Sequence, residues 1–306
     1  MIPPTETSRP LRVVAWNLRH GGGNTRTPEQ ALFLQSLAPD VVALSEVREA
    51  RGSQLRSMLA DAGLSHWVEP KATSTRNRVA IASRFALTAI AKDTWRERFV
   101  AASIEQFGIA VFSVHVPDEN NETARAEVWQ LVVEQARSVR DSRAIIAGDF
   151  NTQRTGVKAS AKTTHLENIP TPNPSCPPRE GLSERIAWRG GKRVGQTCER
   201  MMGMLATHGY VDVTCPSVSS QQPTWFGPTG ERHAIDGIWA SKPLISASSQ
   251  CGGQSPSAFR ETRCVKENLS DHAAIGVDFH IDFDPKNSAF REVGGGAKAG
   301  EGGLFA

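Results

Sequence analysis

"AIIAGDFNT", residues 144–152, carries the clearest indication of fold and site in the chain. Its apolar half has the length and composition of a strand that is covered on both faces. Gly148 predicts that a turn ends this strand, since Gly-Asp is common turn chemistry. Asp149 and Asn151 are then either plain turn formers or members of a site whose other parts lie elsewhere in the chain.

Strands and helices alternate around this stretch. Helical patterns occupy residues 27–37, 122–139 and 198–209, and the first begins with a capping box from Thr27 to Gln30, with Pro28 at the first helical position. This alternation predicts an α/β fold, and the hairpin-like run from 78 to 116 predicts mixed sheets. The other apolar runs of strand length are 11–16, 41–44, 78–83, 109–116, 234–240 and 273–279.

Composition and charge indicate the class of protein. The chain has 306 residues, a hydrophobic fraction of 39% and a net charge of +3, which predicts a soluble globular protein that permits a polyanionic partner without requiring one. The sequence contains neither an apolar run of membrane-spanning length nor an apolar N-terminal signal segment. The five cysteines are scattered and include no C-x-x-C pair, so reduced thiols and a cytoplasmic location are expected.

The chain divides into three segments. Residues 1–10 are expected to be a flexible tail, 11–280 a single domain, and 281–306 a flexible Gly-rich tail. Within the domain, a Pro-rich basic insertion runs from about 154 to 197, and a loop of this length is usually functional or mobile. It either binds a polyanion or is an ordinary solvated loop. Its basic residues are Lys158, Lys162, Arg179, Arg185, Arg189, Lys192 and Arg193.

Polar side chains follow or interrupt most of the predicted strands. In α/β sheets, ligand sites gather where strand ends converge, and carboxylate and amide oxygens suit Mg²⁺. The pattern therefore predicts a site that binds a hard cation and a phosphate. Its candidate residues are Asn17, Glu46, His115, Asp149, Asn151, Asp236, Asp271 and His272.

Each candidate also has an ordinary structural interpretation. Asn17 could be a turn residue, Glu46 a solvated loop acid, and His115 a satisfied structural histidine. Asp236 is harder to explain in this way, because a carboxylate inside an apolar strand is costly to bury unless it is paired or bound. The structural interpretations become improbable jointly rather than singly.

In order and spacing, six motifs resemble the motif series of the endonuclease/exonuclease/phosphatase superfamily, which includes DNase I. The resemblance covers roughly residues 11–280 apart from the insertion. It implies a four-layer sandwich, in which two mixed β-sheets pack face to face with helices outside, and a metal-dependent phosphodiesterase. The motifs are AWNLRHG, DVVALSEVRE, HVP, AGDFNT, TWFGP…HAIDGIW and SDHAAIGV.

The resemblance implies the metal-binding and water-positioning residues. Glu46 would bind the essential divalent metal, Mg²⁺ or Mn²⁺, helped by Asn17 and Asp271. Asp149 and Asn151 would align the attacking water and hold the phosphate.

Two histidines receive roles from the same resemblance. His272, oriented by Asp236, would be a general base or a phosphate ligand, and His115 a general acid or transition-state donor. DNase I has a glutamate supporting its acid histidine where this chain has Asn77, and an amide cannot raise the basicity of an imidazole in the same way. The arginine that precedes the matched aspartate in repair nucleases is Ala234 here, which argues against the abasic-site subclass.

Substrate contacts are also implied. Arg19, Arg48, Arg76 and Asn77 would contact substrate phosphates, although each arginine could equally be a solvated surface residue. These residues favour a DNase I-like endonuclease acting on DNA. The alternatives are a phosphodiesterase or phosphatase acting on a lipid or a small phosphorylated molecule, and a catalytically silent binding module.

Overall fold

Fourteen strands and six α-helices make up the part of the chain that the computed structural model describes, which is residues 10–71, 77–90, 97–118, 122–152, 194–215, 222–251 and 254–281. The strands are β1 (Leu11–Asn17), β2 (Val41–Val47), β3 (His66–Val68), β4 (Arg78–Ser83), β5 (Thr88–Ala89), β6 (Phe99–Ile104), β7 (Ile109–His115), β8 (Arg143–Asp149), β9 (Tyr210–Asp212), β10 (Trp225–Phe226), β11 (Arg232–His233), β12 (Asp236–Ser241), β13 (Ser257–Glu261) and β14 (Ala274–Phe279). The helices are α1 (Gly23–Ser36), α2 (Glu49–Asp61), α3 (Glu122–Ser138), α4 (Val194–Thr207), α5 (Lys242–Gln250) and α6 (Arg263–Lys266).

Two six-stranded mixed sheets form the centre of the fold. The first has the strand order β13-β14-β1-β2-β4-β3 and the second β5-β6-β7-β8-β12-β9, while β10 and β11 form a separate hairpin. Each large sheet contains one parallel pair, β1 with β2 and β7 with β8, and the other pairings are antiparallel. In each parallel pair a helix, α1 or α3, makes the crossover that parallel strands require. The two sheets are therefore built around the same β-α-β unit.

The central strands of both sheets are buried at almost every position because both of their faces are covered. On β1, Val13 and Ala15 point into the core between the two sheets, whereas Val14 and Trp16 point outward beneath the helices. Because successive side chains of a strand point to opposite faces, alternate residues pack into different hydrophobic cores. The second sheet divides its residues in the same way, with Val111 and Ile145 inside the sandwich and Phe112 and Ile146 under α3 and α4.

The last strand of the domain lies in the interior of the first sheet rather than at its edge. β14 pairs with β1 on one side and with β13 on the other. Arg12 fixes this pairing with two hydrogen bonds, from Nε to Oδ1 of Asp278 at 2.7 Å and from Nη2 to Oδ2 at 2.8 Å. The ends of the domain are thus joined side by side.

The four-layer α/β architecture is confirmed, and all seven predicted strands form. Several boundaries were wrong. The capping box does not start α1, because the helix begins at Gly23; Thr27 Oγ1 donates to the carbonyl of Gly21, and the amide of Gln30 donates to Leu18 and Leu269. The last predicted helix begins four residues earlier, at Val194, so residues 194–197 belong to α4 and not to the insertion.

Gly148 was also misread, because it lies inside β8 and not in a turn. Its φ is +143°, and a Cβ at this position would lie 2.0 Å from the carbonyl oxygen of Val114 on β7. Glycine is required here because the two parallel strands approach each other too closely for any side chain. The strand therefore continues to Asp149.

Part of the sequence-based prediction falls outside the described residues: both tails apart from Pro10 and Ile281, residues 154–193 of the insertion, and Arg76. Among the described helices, none is long and apolar enough to cross a membrane. Cys264 is a buried free thiol.

Candidate active site

The candidate site lies where the carboxyl ends of the two parallel strand pairs meet. Asn17 is the last residue of β1 and Glu46 lies at the end of β2, while His115 and Asp149 end β7 and β8 and are register partners. Nδ2 of Asn17 donates to Oδ2 of Asp149 at 2.9 Å and lies 3.3 Å from Oε1 of Glu46. The amide thus links a carboxylate of its own sheet to one of the opposite sheet.

Asp149 Oδ2 is the centre of the site. Four side chains reach this single buried oxygen, and their nitrogens come from both sheets and from the loops beyond them. The distances to it are 2.9 Å from Nδ2 of Asn17, 3.3 Å from Nδ2 of Asn151, 3.8 Å from Nε2 of His115 and 3.9 Å from Nε2 of His272.

His272 is held by a carboxylate on its far side. Its Nδ1 lies 2.9 Å from Oδ2 of Asp236, and both side chains are buried. Asp236 is the first residue of β12 rather than a residue inside the strand, and its register partner is Asp149. A carboxylate on Nδ1 keeps a proton there and orients the ring, so that Nε2 faces Asp149.

Two hydroxyl groups that the sequence did not single out hold this pair in place. Ser270 Oγ donates to the carbonyl of Asn17 at 2.7 Å and accepts from the backbone N–H of His272 at 3.0 Å. Thr224 Oγ1 accepts from the backbone N–H of Asp236 at 3.0 Å. The loop before β14 is thereby tied to the end of β1, and the start of β12 to the segment before β10.

Glu46 occupies a backbone conformation that is uncommon for a residue other than glycine. Its φ is +59°, at an irregularity in the pairing of β2 with β4. Oε2 accepts from the backbone N–H of His20 at 2.7 Å and from Nδ2 of Asn77 at 3.0 Å. His20, which sequence reasoning missed, also places Nδ1 2.9 Å from Oε2. Left-handed φ values cluster at such sites because the surrounding contacts hold them there.

Asn151 supports Asp149 rather than facing the cleft on its own. With a φ of +43°, it donates its backbone N–H to Oδ1 of Asp149 at 2.8 Å and its Nδ2 to the carbonyl of Val116 at 2.9 Å. Arg125 on α3 donates to the carbonyl of Asn151 at 2.6 Å. The residues after β8 therefore form a fixed turn around the carboxylate.

The partner of His115 differs from the one expected from the alignment with Asn77. Nη1 of Arg98 lies 3.1 Å from Nδ1 of His115. Asn77 instead contacts Glu46 and His20, and its Oδ1 accepts from Nε of Arg48 at 3.0 Å. The departure from the DNase I pattern is thus a change from a carboxylate to a guanidinium beside the imidazole.

Asp271 and the described arginines lie at the rim. Oδ2 of Asp271 is 3.9 Å from Nε of Arg19 and accepts from Nε1 of Trp225 at 3.3 Å. Nη1 of Arg19 donates to Oδ1 of Asn268 at 3.2 Å. Arg48 is exposed at the start of α2. Both arginine side chains are exposed to solvent.

The two site histidines differ in their protonation. Burial lowers the pKa of His272, but the charge and hydrogen bond of Asp236, helped by Asp149, outweigh burial and raise this pKa to about 10. Burial, followed by the charge of Arg98, lowers the pKa of His115 well below its usual value. At neutral pH the site therefore holds one imidazolium and one neutral imidazole.

The pKa of the Asp149 carboxyl group is raised. Burial and then the charge of Asp236 raise its pKa to about 7, although His272 and the hydrogen bonds from Asn151 and Asn17 act in the opposite direction. A carboxylate with a pKa near neutrality accepts a proton more readily than an ordinary one.

The donor set fits a divalent cation. Asp149, Asp236 and His272 form a buried group whose potential ligand atoms lie within 4.8 Å of one another. Because Nδ1 of His272 is already engaged by Asp236, the oxygens on the Asn17 and Glu46 side are the better match for a hard cation.

Three solved structures are similar to this chain in fold, and the names of two of them refer to DNA or to a nuclease. A 3' phosphatase from Neisseria, bound to product DNA hairpin, superposes with a TM-score of 0.61 at 18% identity over 88% of this chain and 99% of its own. An AP endonuclease from Archaeoglobus fulgidus gives 0.61 at 16% identity over 89% and 100%. Truncated TDP2 from Caenorhabditis elegans gives 0.54 at 16% identity over 88% and 97%.

Sequence comparison identifies the family. No curated protein sequence matches the chain significantly. The family profile described as Endonuclease/Exonuclease/phosphatase family matches residues 14–272, which include every site residue discussed above. The chain therefore belongs to the endonuclease/exonuclease/phosphatase family and is a metal-dependent hydrolase.

Proposed function

We propose that this protein is a divalent-metal-dependent phosphodiesterase that cuts DNA internally, as a DNase I-like endonuclease. The proposal rests on one observation: Oδ2 of Asp149 lies between two imidazoles, 3.8 Å from Nε2 of His115 and 3.9 Å from Nε2 of His272. A proton acceptor between two imidazoles suits the in-line displacement of one phosphate ester oxygen by water.

The acid–base chemistry follows from the protonation of the site. Asp149 takes the proton of the attacking water, because burial brings the pKa of its carboxyl close to 7. His272 remains an imidazolium and holds a phosphate oxygen with its Nε2–H, which favours the phosphate-ligand role over the general-base role. As the bond between water oxygen and phosphorus forms, the ester bond to the leaving oxygen breaks, and the leaving oxygen takes a proton from solvent. Nε2 of His115 faces the site.

Glu46 and Asn17 would hold the metal, with Asp271 at the rim. When bound, the metal ion, Mg²⁺ or Mn²⁺, supplies positive charge to the phosphoryl oxygens. Glu46 is kept in place for this task by the N–H of His20 and the amide of Asn77. The left-handed φ of Glu46 is energetically unfavourable, and the contacts around the residue hold it in this conformation.

Arginines at the rim support a long polyanionic substrate. Arg19 and Arg48, which contact Asn268 and Asn77 beside the cleft, would bind phosphates next to the one that is cut. The names of the similar structures, which include a DNA-bound 3' phosphatase and an AP endonuclease, support nucleic acid as the substrate class.

Supercoiled plasmid DNA tests the proposal. With Mg²⁺ or Mn²⁺ we expect conversion to the nicked circle, and EDTA should abolish it. RNA, bis-p-nitrophenyl phosphate and phospholipid vesicles are assayed in parallel. Cleavage of the nitrophenyl ester or the lipid without any nicking of DNA would reject the nuclease in favour of a small-molecule or lipid phosphodiesterase.

Variants separate this activity from a contaminating nuclease. Glu46→Gln and His272→Asn should each reduce nicking at least 100-fold, about the effect of one general acid–base or charge-stabilising group. Asp141→Asn, at a carboxylate whose side chain is 90% exposed, is the matched control and should cut like the parent. Equal nicking by all proteins would refute the assigned site, and cleavage of no phosphoester by the folded parent would point to a silent binding module.

A further inference from the structure

A polar groove lies on the outer face of the first sheet, between α2 and the edge strand β3. Its volume of about 510 Å³ is within the range of small-ligand sites. Trp67 of β3 pairs with Ala82, which packs beneath the helices, and the Trp67 side chain lines the same side of the sheet. We call this feature the α2–β3 groove. Its polar and charged lining residues are Ser53, Arg56, Ser57, Ser65, Glu69 and Arg78.

The charge of the α2–β3 groove favours an anion. Nη1 of Arg78, whose side chain is only 7% exposed, lies 3.6 Å from Oε1 of Glu69, so this carboxylate is offset within the lining. The guanidinium of Arg56 then gives the lining an excess of positive charge. Arg56 is exposed, and Ser53 and Ser57 lie on the same face of α2 at helical spacing. A guanidinium flanked by hydroxyl groups suits a phosphate.

Trp67 adds a surface for a planar ring. The residue is half-buried, and it packs against the core beneath the helices while also lining the groove. Aromatic side chains stack on nucleic-acid bases of any sequence. A phosphate-binding arginine and a stacking ring in one groove are the two elements that bind a nucleotide. The polar lining does not suit an apolar helix or a lipid chain, which would leave these groups without hydrogen bonds.

One end of the α2–β3 groove adjoins the candidate active site. Arg78 directly follows Asn77, whose Nδ2 donates to Oε2 of Glu46 at 3.0 Å. The backbone N–H of Gly52, which lines the groove, donates to the carbonyl of Arg48 at 2.6 Å. From Gly52 to Ala60 the groove follows α2 for about 12 Å, at the helical rise of about 1.5 Å per residue. It therefore leads away from the cleft along the helix.

We propose that the α2–β3 groove is a substrate subsite, which binds a nucleotide flanking the phosphate that is cut. The phosphate of this nucleotide contacts Arg56 and the neighbouring serines, and its base stacks on Trp67. This inference rests on the proposed function, because it takes nucleic acid to be the substrate. Binding of a nucleotide in the groove can nevertheless be measured without catalysis.

Amide NMR of the full chain in EDTA tests this binding. Deoxyadenosine monophosphate is titrated into the protein, with deoxyadenosine and inorganic phosphate in parallel. We expect the nucleotide to shift the amide signals of Ser53 and Ser57 and the indole signal of Trp67. Arg56→Met should weaken these shifts, and Arg140→Met, at another exposed arginine, is the matched control and should not.

Two results of the titration would overturn the proposal. In the first, the nucleotide shifts no groove signal, or only signals around Asp149. In the second, inorganic phosphate shifts the groove amides as much as the nucleotide does and the indole signal of Trp67 does not move, which would make the groove a plain anion site.

Kinetics test whether the groove serves the substrate. Trp67→Leu should raise KM for DNA about 5- to 150-fold, the range for losing one base-stacking aromatic side chain, with little change in kcat. KM for bis-p-nitrophenyl phosphate should not change, because this small ester carries no flanking nucleotide. Arg56→Met should raise KM for DNA in the same way, and its exposed position decides the test if Trp67→Leu does not fold.

The subsite and the proposed function fail separately. An unchanged KM for DNA in folded Arg56→Met and Trp67→Leu would overturn the subsite, even though the parent nicks DNA. Nucleotide-induced shifts in the groove of a parent that nicks no DNA would reject the proposed function and leave nucleotide binding by the groove intact.

Discussion

Gly148→Ala is the change whose effect can be worked out most directly from the structure. The added Cβ would lie 2.0 Å from the carbonyl oxygen of Val114, about 1 Å closer than the 3.0 Å limit below which such contacts essentially never occur. The φ of +143° is also strained for any residue with a side chain. Overpacking and strain each cost about 1 to 3 kcal/mol, so the free energy of unfolding should fall by about 2 to 6 kcal/mol.

Thermal and urea unfolding measure this effect. At about 2 to 4 °C per kcal/mol, the melting temperature should fall on the order of 10 °C. Gly203→Ala makes the same chemical change in α4, where nothing lies within 4 Å of the added Cβ. This control should gain about 0.5 to 1 kcal/mol, because alanine is the better helix former.

Activity provides a second measurement on the same variant. If β7 and β8 separate to admit the Cβ, the carboxylate of Asp149 moves relative to the histidines, and kcat should fall at temperatures where the protein remains folded. A Gly148→Ala protein that melts and cuts like the parent would refute the reasoning. A loss of stability equal in both glycine variants would show that the effect is not specific to the strand contact.

Three further predictions concern the site and the core. Asp236→Asn should lower kcat about 10- to 100-fold in a plasmid assay, because the ring of His272 loses its orienting carboxylate; an unchanged kcat would show that the orientation has another source. Burial raises the pKa of the Cys264 thiol to about 11, so iodoacetamide at pH 8 should label it far more slowly in the native protein than after urea has unfolded the chain, and equal rates in the two states would contradict this. Arg48→Met should reduce the slope of log KM against log salt concentration by about 1 if this arginine contacts a phosphate, and an unaltered slope would remove it from the DNA interface.

The sequence was most informative where a residue's position follows from strand geometry. Asn17, His115 and Asp149 each end a predicted apolar strand, and the ends of neighbouring parallel strands must lie together. Asp236 was identified because an unpaired carboxylate in an apolar segment is costly, and the structure supplies its partner, His272. These predictions needed only local pattern and elementary energetics.

Other parts of the site depend on contacts that local pattern does not encode. Ser270 and Thr224 form hydrogen bonds with backbone groups of residues far away in the chain. The left-handed φ of Glu46 could not be predicted, because the residue is not a glycine. Arg98 could have been found, since β6 and β7 form a hairpin around Gly108 and counting outward from it places residue 98 opposite His115. The close approach of β7 to Gly148 was not predicted, because the sequence does not distinguish a glycine between two strands from one in a turn.

The interior position of β14 governs when a newly made chain can become active. Until that strand has been synthesised, β1 has no partner on one side and Arg12 lacks Asp278. The segment just before β14 also brings His272, together with Ser270, which ties the end of β1 in place. A chain that ends before residue 270 therefore lacks both a strand of the first sheet and the histidine that faces Asp149. We therefore expect a chain truncated before His272 to lack hydrolase activity, because it has lost both a site imidazole and a strand partner of β1.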